Sequence, residues 1–251
     1  MMTPETIARL NAINRDFYAT TAPEFSATRG RAWQGWVDAL THLPERPLHV
    51  LDVGCGNGRW ALHLAEHNRL ATYHGVDNNP TLLSHAQQAL TEQIDVPFTL
   101  TQHDAIIDAG ASLAQVTQGT TYDVVGLFGV IHHVPDRSHR RSFVQALAQH
   151  VAVGGFLIVA SWRFMEFERF RARVVPWATY DAEHNTTLAQ DTEENDVLLD
   201  WRRGERALRY CHYVDDEEHE ALCRVTGLTT IVDYRADGST HNLNRYTILR
   251  R

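Results

Sequence analysis

The run Leu51-Asp52-Val53-Gly54-Cys55-Gly56-Asn57-Gly58-Arg59-Trp60 constrains the fold more than any other stretch of the chain. An apolar strand, Leu48 to Val53, enters a turn with glycines at alternate positions and leaves it as a helix expected to begin near Asn57. Glycine adopts positive φ at little steric cost and leaves no side chain between the backbone and a ligand. A dinucleotide fingerprint reads GxGxxG or GxGxxA. Here the third position of that pattern, counted from Gly56, is Arg59, and the spacing is GxGxG instead. With no pyrophosphate to cradle, the expected ligand is a nucleoside bearing an amino-acid tail. The alternative reading is a tight turn that binds nothing.

Strand and helix patterns alternate from about His49 to Ser161, which implies a parallel sheet with helices on both faces. After the glycine turn come ATYHGV ending on Asp77, then PFTLTQ, then YDVVGLF, then GFLIVAS behind a Gly154-Gly155 break. Asn79 and Pro80 read as N-cap and first residue of a helix. Past Ser161 the alternation fails. Phe164 to Val174 reads as an amphipathic helix, and VLLDW and ALRYCHYV as two strands separated by RRGER. LTTIVDY and NRYTILR, joined by ADGST, suit an antiparallel hairpin at one sheet edge. The expected architecture is one α/β, Rossmann-like domain over residues 1–251, with a mostly parallel seven-stranded sheet, an antiparallel C-terminal hairpin and an inserted cap. Its divisions are an N-terminal helical cover (1–47), a cofactor-binding core (48–162), the cap (163–213) and a C-terminal helix and hairpin (214–251).

Asp77 stands at the end of the second strand, nineteen residues after Gly58, where a carboxylate can accept hydrogen bonds from both ribose hydroxyls. Asp104, after the third strand, is placed to accept from an adenine amino group, with Ala105 offering its backbone N–H. Each has a plain structural alternative, a carboxylate capping a strand end.

Composition narrows the chemistry. All 23 basic residues are Arg, so lysine Schiff bases and lysine general bases are excluded. The formal net charge of −8 opposes strong non-specific binding to phosphate backbones, though not a local Arg-lined groove. Cys55, Cys211 and Cys223 form neither a disulfide framework nor a CxxC zinc pair. The N-terminus lacks a secretory pattern and no apolar run reaches membrane-spanning length, so the expected location is the cytoplasm and no membrane association is expected.

Taken together, VLDVGCGNG, GVDNN, QHDA and YDVVGLFGVIHHV resemble the successive motifs of class I S-adenosylmethionine-dependent methyltransferases, over roughly Leu48 to Ser161. The resemblance implies S-adenosyl-L-methionine as cofactor, held by Asp52, Gly54, Cys55, Gly56, Gly58, Asp77, Asn78, Asp104, Ala105 and Phe128. Shorter segments resemble the tRNA wobble-uridine (carboxymethyluridine) methyltransferases: FSATRGRAWQGW, IHHVPDRSHRR, NDVLLDW, RYCHYV and NRYTIL. They depart from that subgroup at Ala32, Asp200 and Arg245. This second resemblance implies esterification of a carboxymethyl group on tRNA, with an activating partner subunit as a further expectation.

A carboxylate acceptor needs no base; a hydroxyl or amine does, and His132 or His133, just past the fourth strand, is then the natural proton acceptor. No metal site is expected at this pair, since adjacent residues usually point different ways and no nearby Cys or carboxylate completes a ligand set. Arg29 is the candidate partner of the cofactor carboxylate, through a bidentate ion pair. Tyr18 and Trp33 are placed to cover the cofactor. On the acceptor side the candidates are Trp33, Arg163, Trp201, Arg209 and His212, an Arg-rich aromatic surface able to stack a base. The same segment is also acidic, which suits a solvated mixed-charge face. A methyltransferase for small-molecule hydroxyls or amines is the competing reading, and a non-catalytic binding scaffold the third.

Overall fold

The structure, a computed structural model, describes residues 1–27, 32–202 and 207–251. Helices α1 (Pro4–Ala27) and α2 (Gln34–Leu40) lead into β1 (Leu48–Val53). There follow α3 (Arg59–Glu66), β2 (Leu70–Asp77), α4 (Pro80–Gln93), β3 (Phe98–Gln102), α5 (Leu113–Val116), β4 (Tyr122–Phe128), α6 (Arg137–Gln149) and β5 (Val151–Trp162). Beyond them lie α7 (Glu168–Arg171), β6 (Val174–Val175), α8 (Trp177–His184), β7 (Asp196–Asp200), β8 (Leu208–His212), α9 (Asp216–Val225), β9 (Thr229–Ala236) and β10 (Asn244–Arg250).

The main sheet has seven strands in the order β3-β2-β1-β4-β5-β10-β9. β1 to β5 run parallel, and β10 is antiparallel to both of its neighbours, β5 and β9. The last strand is thus an interior one, and β9 forms the edge. Central parallel strands are covered on both faces and read as continuous apolar runs. Here successive residues divide between two layers: Leu51, Val125 and Leu157 pack with Phe143 and Leu147 of α6 on one side. Val50, Val124 and Ile158 pack with Trp36, Trp60 and Leu64 on the other. As the sequence predicts, Asn79 caps α4 by accepting from the Leu82 N–H at 2.9 Å, with Pro80 beside it.

A second, antiparallel sheet of β6, β7 and β8 stands beside this framework, against α1. The apolar stripe of α1, including Ile7, Leu10 and Ile13, packs on Leu198 and Tyr210. Two expectations are corrected. Helix α3 starts at Arg59 because Gly58 occupies the left-handed region (φ +75°). Phe164 to Val174 is not one helix but a 3-10 turn (Phe164–Glu166), the short α7 and then β6. Its aromatic residues are drawn to separate places, Phe164 against Leu199 and Cys211, and Phe170 onto Trp162. Among the described residues no helix is long and apolar enough to cross a membrane.

Candidate active site

A cavity of about 930 Å³ opens at the carboxyl ends of β1, β2 and β4 and extends under the small sheet. In open α/β sheets a ligand crevice is expected there, at the point where strand order reverses between β1 and β4. The glycine turn forms one wall, and its glycines do different work. Gly54 (φ +78°) is hemmed in: a Cβ there would meet Val130 at 2.1 Å. At Gly56 (φ +54°) a Cβ would meet nothing within 4 Å, so this backbone faces open space in the cavity. Gly58, expected at the ligand, instead stands outside the cavity wall and lets α3 pack on α4, with Ala86 3.2 Å from a Cβ placed there.

Asp77 supports the same turn. Its carboxylate accepts from the N–H groups of Gly56 (2.8 Å) and Asn79 (2.9 Å), which leaves further lone pairs for a ligand. Burial pushes its pKa up, while those backbone donors oppose the shift. Asn78, Asp104 and Ala105 continue the wall, and Arg15 of α1 approaches Asp104 at 3.5 Å. Cys55 lies on the floor with its thiol pKa pushed well up by burial.

Asp52, at the end of β1, is buried and also lines the cavity. Burial lifts its pKa to about 7, although the Tyr73 hydroxyl donates to it at 2.7 Å and the Arg59 guanidinium favours its ionised form. Arg59, which the sequence reading placed only as a break in the glycine pattern, lies against Trp36 (5.2 Å) and Trp33 (5.7 Å) in the same wall. Burial lowers its pKa to about 10. Arg29, the expected partner for a cofactor carboxylate, lies outside the described residues. Phe128 edges onto Trp60 and Trp36 at 4.6 and 5.6 Å.

His132 and His133 form a buried 3-10 turn after β4, and both line the cavity. The Tyr210 carbonyl lies 3.0 Å from His133 Nδ1, and a carbonyl only accepts, so Nδ1 carries the proton. In the neutral ring Nε2 is then the acceptor, and it receives the Tyr18 hydroxyl at 3.0 Å. Sequence reasoning could not see this pairing across the chain. Nor could it see Cys211, whose Sγ comes within 4.8 Å of ring nitrogens of both histidines and corrects the reading that no third donor stands nearby. Burial raises that thiol's pKa to about 12, and both His133 nitrogens are engaged by neutral groups.

The acceptor candidates divide. Trp33, Trp201 and Arg209 line the cavity. Arg163 and His212 do not, because their bonding capacity is spent elsewhere. Arg163 pairs with Glu166 (2.7 Å) and Asp216 (3.2 Å) and donates to the Val214 carbonyl. His212 bridges Asp196 and Glu218, each at 2.7 Å. Asn14 and Trp162 are among the wall residues that went unnamed at the sequence level. The Asn14 amide is buried and neither of its polar atoms has a hydrogen-bond partner among the described residues. A polar residue on the buried stripe of α1 was the signal that could have found it.

This strand order and site belong with what the chain is similar to. A family profile described as "Methyltransferase domain" matches residues 51–157. A protein of Encephalitozoon cuniculi that bears a methyltransferase's name is 24% identical over 241 residues, covering 94% of this chain and 93% of that one. The 27-O-demethylrifamycin SV methyltransferase of Amycolatopsis mediterranei is 28% identical over 151 residues, 55% of this chain and 53% of its own. Among solved structures, the 1,6-didemethyltoxoflavin-N1-methyltransferase of Burkholderia thailandensis, with bound S-adenosylhomocysteine, superposes with a TM-score of 0.64 at 13% identity, covering 100% of this chain and 91% of that one. Residues 51–157 thus match a methyltransferase domain, carried on a fold shared with solved methyltransferases, and together these support an S-adenosylmethionine-dependent methyltransferase with S-adenosyl-L-methionine as its cofactor.

Proposed function

We propose that the protein transfers a methyl group to a hydroxyl or amine of a small-molecule acceptor, and that the Tyr18–His133 pair takes up the acceptor's proton. The observation that carries the reading is the bond between Tyr18 and His133 inside a cavity that runs from the glycine turn to the small sheet. A volume of about 930 Å³ suits a cofactor and a small acceptor together, since pockets for single drug-sized ligands run from about 300 Å³ upward.

On this reading Gly56, Asp77, Asn78 and Asp104 would hold the cofactor's adenosine, and Asp77 would accept from the ribose hydroxyls. The open space over Gly56 and the free lone pairs of Asp77 fit that group. Asp52 would hold the ammonium of the amino-acid tail and Arg59 its carboxylate, two charges that match two charges. When bound, the cofactor supplies an electrophilic methyl whose carbon–sulfur bond breaks, the pair leaving on sulfur, as the acceptor's lone pair bonds to carbon. The protein's part is to align the two partners and to manage one proton. Tyr18 oxygen accepts the acceptor's proton as its own passes to His133 Nε2, and the Tyr210 carbonyl holds the resulting imidazolium through Nδ1.

The tRNA carboxylate implied by the sequence resemblance draws no support from these relatives, of which the two whose names specify an acceptor specify small molecules. A carboxylate would also leave the Tyr18–His133 pair without work. The test is mass spectrometry of small-molecule and tRNA pools incubated with labelled methyl donor, followed by kinetics on the acceptor found. Label is expected in small molecules, and His133→Ala and Tyr18→Phe are each expected to lower kcat by about 10²-fold or more with cofactor affinity retained. Label confined to tRNA, or full activity in both variants, would overturn the proposal.

A further inference from the structure

Among the described residues three arginines are buried near the small sheet, and their surroundings differ. Arg140 meets Glu193 at 2.6 Å and Glu218 at 2.8 Å. Arg163 meets Glu166 and Asp216. Arg209, only 9% exposed, meets no carboxylate within ion-pair distance among the described residues. Aromatic rings surround it instead: its guanidinium lies 4.5 Å from the Trp162 ring centre, 5.4 Å from Phe17 and 5.9 Å from Trp201. Charges withdrawn from water are as a rule paired. Cation–π contacts supply only part of what a lost hydration shell gives.

Arg209 is also part of the cavity wall, and its nitrogens are not sealed in the protein interior. The contact with Trp162 is a cation–π one that offers the guanidinium no hydrogen-bond acceptor, so its N–H groups can receive a carboxylate or phosphate through two parallel bonds. Trp162, Phe170 and Trp201 in the same wall offer apolar surface to a flat ring system. The next residue along β8, Tyr210, gives its carbonyl to His133, so the cation and the proton-accepting pair are neighbours on one strand.

From this we infer that the methyl acceptor is a planar molecule bearing an anionic group, a carboxylate or a phosphate, and that Arg209 supplies the counter-charge. The inference rests on the small-molecule reading above. The anion is the handle; the hydroxyl or amine elsewhere on the ring system receives the methyl.

The experiment uses the whole protein saturated with S-adenosylhomocysteine and titrates it by calorimetry with 2-naphthoate, 2-naphthyl phosphate and the neutral 2-naphthamide. At least one anion is expected to bind about tenfold or more tighter than the amide, the range of a charge-assisted bond, and the tighter anion names the group. Arg209→Gln is expected to abolish the preference and Arg209→Lys to restore part of it, with affinity for S-adenosylhomocysteine unchanged, which also verifies that the variants fold. Equal binding of anion and amide by the unaltered protein, no binding of either anion, or a preference that survives in Arg209→Gln would overturn the inference. Failure of the unaltered protein to bind S-adenosylhomocysteine would strike the methyltransferase reading itself, so the two failures are distinguishable.

Discussion

Asp52 concentrates the electrostatics of the proposed cofactor site in one residue. It is buried beside Asp77, and burial holds its pKa at about 7 although Tyr73 donates to it and Arg59 faces it. An ammonium placed against it favours the carboxylate, so a bound cofactor lowers that pKa further. The sign follows from linkage. Above pH about 7 the group is already ionised and binding is at full strength. Below it, binding must expel the proton, and cofactor affinity is expected to fall by up to about tenfold per pH unit. Calorimetry of S-adenosylhomocysteine binding between about pH 5.5 and 8.5 checks this, with Asp52→Asn expected to bind more weakly and without the inflection. A flat profile in the unaltered protein would remove Asp52 from the ammonium. Residues of this kind were partly legible. The glycines and Asp77 announce themselves because strand, turn and carboxylate follow one another within a single βαβ unit. Tyr18 and Arg209 could be named as candidates from sequence, but their grouping with each other and with Asn14 arises only when α1 and β8 meet, and nothing local in their segments says so. Arg163 misled for the converse reason: an Arg beyond a strand end reads as a ligand until Glu166 and Asp216 arrive to claim it.

At the scale of elements, β1 to β5 and the terminal hairpin could be read from sequence because burial pattern and turn chemistry are local properties. The small sheet could not be completed from sequence, since β6 is two residues long and exists by pairing Val174 and Val175 with Leu199 and Leu198 of β7. What fastens this sheet to the main framework is a buried cluster of charges. Arg140 of α6 reaches Glu193 and Glu218, and His212 of β8 lies between Asp196 and Glu218, with the Tyr210 hydroxyl also donating to Asp196. Removing Arg140, which is fully buried, leaves these acids facing one another, and Arg140→Ala is expected to cost about 3–5 kcal/mol in urea unfolding. The cluster also sets a pH window. Asp196 and Glu218 raise the His212 pKa against the effect of burial, so its contribution is whole below its unfolded value of about 6.5 and is lost as pH rises through the folded one. Hydrogen bonds from His212 and Arg140 bring Glu218 down to about 2 despite burial, so its contribution is whole above its unfolded value of about 4.5 and is lost as pH falls toward about 2. Limited proteolysis of the small sheet should therefore be slowest between about pH 4.5 and 6.5 and quicken on both sides. Equal susceptibility across that range would mean the charges do not hold the sheet.

The molecule as a whole carries a formal net charge of −8, and this bears on how an acceptor arrives. A small anion bound for Arg209 approaches through a field of its own sign, and the attraction of a single buried guanidinium is felt only at short range. Salt screens the long-range repulsion over a Debye length of about 10 Å at 0.1 M, and leaves a contact inside the cavity much less affected. For a small anionic acceptor, kcat/KM should then rise modestly with ionic strength, through the encounter rate, while kcat stays level. A tRNA acceptor would behave in the opposite way, since binding by release of condensed cations weakens steeply as salt is added. The sign of the salt dependence of kcat/KM, measured between about 20 and 200 mM salt, thus discriminates between the two acceptor classes without knowledge of which atom is methylated. A steep fall would refute the small-anion reading at the level of the whole molecule, whatever Arg209 does in isolation.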